Sequence, residues 1–288
     1  MAVNTQDQAF VNNYSSVMYM LATEGLSKVR GIFEEEDMQG EKHFFDRLGK
    51  LTVSKIASRN QILDGQDPDH TRRMATVSRY YGRVYLDTLD KLKMLTDPTS
   101  NYAIKLAEAH GESYDGVVYN AMLGSAATGK DGEGTQAFDS NNAIVHGGAG
   151  LTVAKFNQAL RIFEENDINI EIRKLYMTAR GLGVEDLLSE QKFTSFDYQG
   201  DKALSGPRLP SFRGVNLLRT NRVPDHTAGS VYRALMFTEQ AVKVAKSHAF
   251  DLKNDVRTDM AHVHQITSYE MLGAVRMEEN QVVDINFQ

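Results

Sequence analysis

The chain contains no cysteine and no tryptophan. Without cysteine, disulfides, zinc–thiolate sites and cysteine nucleophiles are excluded, and a reducing folding compartment is allowed. No stretch approaches about eighteen uninterrupted apolar residues, so no membrane span is expected. The opening residues, Met1 to Phe10, are polar and lack the basic start and apolar core of a secretory signal. Basic charge is in deficit, with 32 Lys and Arg against 38 Asp and Glu and a net of −6. A dedicated nucleic-acid binder carries a basic surplus, so that class is disfavoured.

What is present suits a folded chain. The 288 residues suffice for one large core or two modest ones, and 41% hydrophobic with 24% charged residues argues against wholesale disorder. Phe10, Tyr14, Val17, Met18 and Leu21 fall at helical spacing over Asp7 to Glu24, with Gly25 as a C-terminal cap. The acidic run Glu34-Glu35-Glu36-Asp37 reads as a solvated loop. Lys42 to Ala57 and Met74 to Leu86 read as two strands of one long hairpin, separated by turn chemistry at Asp64-Gly65 and Asp67-Pro68-Asp69. Sixteen extended residues would reach roughly 50 Å, so this ribbon is expected to protrude and lean on another chain. Asp97-Pro98 starts a long helix, with Tyr102, Leu106, Ala109, Ser113, Tyr114, Val117, Ala121 and Met122 on one face and Gly124 at its end. Ser125 to Gly150 reads as a mobile loop, and a second helix begins at Thr152. Strands are expected near Lys174–Ala179, Val215–Thr220, Tyr232–Thr238, Val256–Ile266, Glu270–Arg276 and Gln281–Ile285, with a short helix near Val184–Glu190. Helices and strands do not alternate regularly, and α+β is the class expected.

No constellation reaches the standard of an active site. Gly124-Ser125-Ala126-Ala127-Thr128-Gly129-Lys130 follows most of the phosphate-loop pattern, but Asp131 stands where a magnesium-binding hydroxyl is needed. The segment also follows a helix, so the strand–loop–helix context is missing. His262 and His264 would share a strand face, yet no further ligand lies near them in sequence. Gly147-Gly148-Ala149-Gly150 lacks dinucleotide spacing. Tyr80-Tyr81 with Arg79 and Arg83 resembles an aromatic–basic stripe, of which strand alternation lets only half line one surface. No catalytic residue, cofactor or metal is expected; a soluble nucleotide-binding enzyme using Gly124–Lys130 is the alternative from another class.

The order of elements, together with certain segments, resembles the tailed-bacteriophage major capsid protein family. Those segments are Thr71-Arg72-Arg73-Met74, Asp90-Lys91, Leu95-Thr96-Asp97-Pro98-Thr99-Ser100, Gly150-Leu151-Thr152, Leu218-Arg219-Thr220-Asn221-Arg222-Val223-Pro224 and Gly273-Ala274-Val275-Arg276-Met277-Glu278-Glu279. The resemblance implies an N-terminal arm (1–40), an extended hairpin loop (41–84), a peripheral domain with a spine helix (85–149 and 256–288) and an axial domain (150–255). It implies a shell subunit forming hexamers and pentamers of an icosahedral head around double-stranded DNA. That DNA would be touched non-specifically, and assembly would take place in the bacterial host cytoplasm. Separate scaffolding, portal and decoration proteins are the expected partners, the first because the chain has no long N-terminal extension. An encapsulin-type compartment shell is the alternative within the fold.

Charge partition suggests where copies would meet. Residues 1–40 carry two basic and six acidic side chains (2 − 6 = −4), and residues 41–83 carry nine and five (9 − 5 = +4). The expected intersubunit contacts are Arg72 and Arg73 on the ribbon, facing either Glu35 and Glu36 of the arm or Glu112 and Asp115 of the spine. Gly111 and Gly116 weaken the helix by about 1 kcal/mol each relative to Ala and are its expected hinge.

Overall fold

The computed structural model describes residues 25–53, 55–56, 58–59, 65, 67–87, 99–168, 174–189, 211, 213–227, 229–260 and 262–288. The expected arm helix, the Asp97 cap and residues 60–64 and 66 of the hairpin tip lie outside them. Among the described residues the fold is α+β, built from three sheets and three helices.

The long helix is α1, Thr99–Leu123. Leu106, His110, Tyr114, Val118 and Met122 recur every fourth residue and are all buried. That spacing is the stripe of a helix lying on a sheet. The sheet beneath it has strand order β1-β11-β12-β4, from β1 (Glu34–Asp37), β11 (Val242–Arg257), β12 (Val263–Arg276) and β4 (Ser78–Leu86). Each fully buried Val, Leu or Met in this layer contributes about 1.5–3 kcal/mol.

A second core gathers around β7 (Ala143–Ile144), β13 (Val282–Phe287), β10 (Tyr232–Thr238), β8 (Leu175–Ala179) and β9 (Val215–Arg219), in that order in one sheet. Helices α2 (Val153–Glu165) and α3 (Gly181–Ser189) bury Phe156, Leu160, Phe163 and Leu187 in this core. Thr152 caps α2, its hydroxyl accepting from the Lys155 amide at 3.4 Å. The Lys155 ammonium donates to the carbonyls of His146, Ala149, Gly150 and Asn286 at 2.7–3.2 Å. The glycine cluster thus turns carbonyls inward to a cation, the reverse of a phosphate cradle.

The third sheet runs β2-β3-β5-β6, from β2 (Lys42–Leu48), β3 (His70–Thr76), β5 (Ala126–Thr128) and β6 (Gly134–Gln136). It corrects several expectations. The hairpin ladder is seven residues per strand, about 23 Å, and the described residues 51–53, 55 and 56 are not strand. The run Met74–Leu86 divides at Val77, whose amide bonds the Glu41 carbonyl at 2.9 Å, so β3 and β4 enter different sheets. The acidic run is strand β1, because its carboxylates meet lysines of β11. Ser125–Gly150 holds β5, β6, β7 and a 3-10 turn in place of an unstructured loop. Strand β11 begins at Val242, well before the expected Val256. Irregularities at Lys246/His248 and His248/Asp251 break its period of two and conceal it. By sheet membership, β11 joins the sheet beneath α1, and β13 joins the sheet packed by α2 and α3.

Candidate functional site

Strand alternation sends neighbouring arginines of β3 to opposite surroundings. Arg72 is exposed and faces Asp46, its register partner on β2, with Nε donating to a carboxylate oxygen at 2.5 Å. Arg73 is only 5% exposed. Its guanidinium grips both Glu279 oxygens at 2.8 and 3.0 Å and donates to the Met277 carbonyl at 3.3 Å. Burial lowers the Arg73 pKa from its ordinary value, Glu279 opposes that shift, and the neighbouring Arg47 adds to it.

The arm acids are also engaged within the chain. Glu36 accepts from the Lys243 ammonium at 2.7 Å and meets the His43 ring at 3.2 Å. Its carboxyl lies below the ordinary value, first through the Lys243 hydrogen bond. Glu35 accepts from the Tyr114 hydroxyl at 2.9 Å and from Lys246 at 3.4 Å.

On the spine, Asp115 is fully buried. It accepts from the Arg222 guanidinium at 2.5 Å, from the Lys28 amide at 3.0 Å and from the Ser27 hydroxyl. Arg222 in turn donates to the Gly25 and Leu26 carbonyls at 2.7 and 3.3 Å. This pair fastens residues 25–29 to the helix, so Asp115 has a task inside the chain. Glu112, one turn away, is exposed beside a groove lined by Gly25, Lys105, Glu108, Ala109, Asn221 and Arg222. Where the chain crosses the helix stands Gly111, where a Cβ would come within 2.6 Å of the Ser27 amide nitrogen and 3.1 Å of the Leu26 carbonyl carbon. Gly111 therefore permits close packing. Gly116 has open space around it.

Three features needed the structure to be seen. Arg276 is fully buried and donates to the carbonyls of Met122, Gly124 and Gln136 at 2.7, 2.6 and 3.2 Å, locking the end of α1 to the β5–β6 ribbon. Glu279 anchors Arg73 from over two hundred residues away. His110, Ser268 and Glu270 form a hydrogen-bonded chain, with ring nitrogens 2.9 Å from the Ser268 hydroxyl and 3.3 Å from Glu270. All three side chains are buried, and Arg30 pairs with Glu270. A nucleophile closed off in this way has no substrate access, and the cluster acts as packing between α1 and β12. Nothing in the sequence signalled these partners, since each lies over a hundred residues from its mate.

The remaining motifs resolve plainly. Ala126–Thr128 of the phosphate-loop-like segment is strand β5, so no glycine amides cradle an anion at a helix start. His262 sits in a turn at φ 58°, out of line with His264 on β12, and no cluster of three metal-ligating side chains occurs among the described residues. On β4, Tyr80 packs toward α1 while Arg79, Tyr81, Arg83 and Tyr85 are exposed on the other face. No helix among the described residues is long and apolar enough to cross a membrane.

The phage capsid protein family profile matches residues 7–288, nearly the whole chain. The chain belongs to the phage capsid protein family. It is accordingly a structural phage capsid protein and not an enzyme. Solved structures share its fold. The cyanophage Pam1 capsid asymmetric unit matches with a TM-score of 0.76 at 12% identity, covering 99% of this chain and 98% of that one. The capsid of cyanophage P-SCSP1u gives 0.75 at 13%, covering 98% and 94%. Mycobacterium phage Che8 gives 0.74 at 14%, covering 99% and 98%. No curated protein sequence matches. At such identities these likenesses concern the fold alone.

Proposed function

We propose that this capsid protein is the repeating subunit of an icosahedral head, self-assembling as hexamers and pentamers around double-stranded DNA in the host cytoplasm. The observation that carries the reading is an apolar segment left exposed among the described residues. Leu48, Leu51, Val53 and Ile56 are 61%, 55%, 100% and 58% exposed, within nine residues of the hairpin. A monomer rarely presents such a stretch unless another surface covers it, and a second copy of the chain is the partner that a shell supplies. Separate scaffolding, portal and decoration proteins complete the assembly, and the DNA is enclosed without sequence recognition, in keeping with the net charge of −6.

Electron microscopy of the purified protein, with and without lysate from infected cells, tests this reading. Closed shells containing DNA are expected. Shells filled with a protein cargo would transfer the chain to the encapsulin-type alternative, and persistent monomers would refute self-assembly. The variant Leu51→Asp with Val53→Asp should remain folded and fail to form shells; normal shells from it would remove the role given to this segment.

A further inference from the structure

Between the β2–β3 and β5–β6 hairpins lies a groove of about 810 Å3. Arg47, Arg72, Arg73 and Lys130 line it, with Thr71, Thr128 and Gln136 adding neutral hydrogen-bonding groups. The sequence segment that mimics a phosphate loop thus delivers its lysine to a site of quite different construction.

The charges around this groove do not balance. Glu279 also lines it and is shared by two guanidiniums, Arg73 at 2.8 Å and Arg276 at 3.6 Å. Arg47 donates to the neutral Met277 carbonyl at 2.6 Å and has no carboxylate partner among the described residues. Lys130 likewise has no ion pair among them, and Asp46 is taken by Arg72. Among the residues that line it, four cations, Arg47, Arg72, Arg73 and Lys130, face two carboxylates, Asp46 and Glu279. Asp131 and Glu133, in the turn beyond Lys130, do not line the groove. A surplus of two positive charges persists here in a chain whose total is −6.

We propose that this groove binds a phosphate group. Guanidiniums offer paired N–H donors to phosphate oxygens, and an ammonium adds a point charge. Hydroxyl and amide groups on more than one wall suit a tetrahedral anion better than a planar carboxylate. The phosphate is either a free ion or part of a nucleic-acid backbone, and the site lies within one chain, so it does not depend on shell formation.

Calorimetric titration of the unassembled full-length chain with inorganic phosphate, and separately with short duplex DNA of mixed sequence, tests the proposal. Arg72→Gln with Lys130→Gln removes two exposed groove cations, and Lys50→Gln with Lys55→Gln removes two cations outside it at the same cost in net charge. The groove variant should weaken binding at least tenfold while the control stays near wild type. With duplex, the salt dependence should fall by about one unit of slope per cation removed. Binding of phosphate alone assigns a free-ion site; binding of duplex with a salt slope assigns the backbone. Equal loss in both variants would reduce the effect to bulk attraction and overturn the site. Absence of binding to either probe, or binding only of a poly-glutamate peptide, would overturn it as well, the latter in favour of an acidic protein segment. None of these failures bears on whether shells form.

Discussion

Two glycines of the same helix should respond oppositely to the same substitution. By propensity alone, Gly→Ala in a helix interior stabilises by about 1 kcal/mol. Gly116 meets that condition, because an added methyl has nothing within 4 Å. At Gly111 the methyl would lie 2.6 Å from the Ser27 nitrogen and 3.1 Å from the Leu26 carbonyl carbon, all backbone atoms that cannot rotate away. Overpacking of this kind costs about 1–3 kcal/mol. Displacing Ser27 and Lys28 also disturbs their bonds to the buried Asp115. The net expectation is a loss of about 0–2 kcal/mol for Gly111→Ala and a gain of about 1 kcal/mol for Gly116→Ala. Chemical denaturation of the unassembled chain, with the slope checked for constancy, measures both. Equal stabilisation by the two substitutions would refute the crossing argument and return Gly111 to the hinge role.

Further expectations follow from the ion pairs. Asp115→Asn should destabilise the chain by about 3–5 kcal/mol, since it breaks the ion pair of a fully buried carboxylate that fastens residues 25–29 to the helix, and proteolysis near residues 25–29 should accelerate; wild-type resistance would contradict this. The Glu36 carboxyl sits below its ordinary value, so its contribution is present above the unfolded-state pKa and is lost as pH falls through the lower folded value. Acid melting curves of Glu36→Gln should therefore converge with wild type at low pH and separate near neutrality; a constant offset would exclude the linkage. Arg72→Glu should leave the fold intact and impair assembly, whereas Arg73→Glu, placed against Glu279, should unfold the chain before assembly is attempted. Circular dichroism and sedimentation distinguish the two.

Local patterns carried much of the fold. Helices α1 and α2, the Thr152 cap and strands β8, β9 and β10 come from spacing and capping chemistry within one or two turns of chain. Partner choice was not legible. β2 reads as part of a sixteen-residue strand because Leu51–Ile56 alternates, yet alternation says only that one face wants burial, not that the same chain supplies the cover. β11 was hidden for the opposite reason, since its irregularities shift the period part-way along. The two segments expected as loops share one cause. Glu34–Asp37 and Ala126–Thr128 become strands through β11 and β3, partners that no window of local sequence contains.

The same limit applies to charge. The sums of −4 and +4 over the first two segments are real, and within one chain the acids have distant partners. Glu35 and Glu36 meet Lys246 and Lys243, over two hundred residues away, and Arg73 meets Glu279. Asp115 is occupied by Arg222. Within one chain Glu35, Glu36, Asp115 and Arg73 already have partners, while Arg72 and Glu112 are exposed. Exposed pairs are worth about 0–1 kcal/mol each, whereas burying Leu51, Val53 and Ile56 could contribute about 1.5–3 kcal/mol per side chain. Cohesion between copies should therefore rest on the apolar hairpin segment, with the remaining charges setting register. Shell yield should consequently fall more steeply for Val53→Asp than for Arg72→Gln, and should depend only weakly on salt.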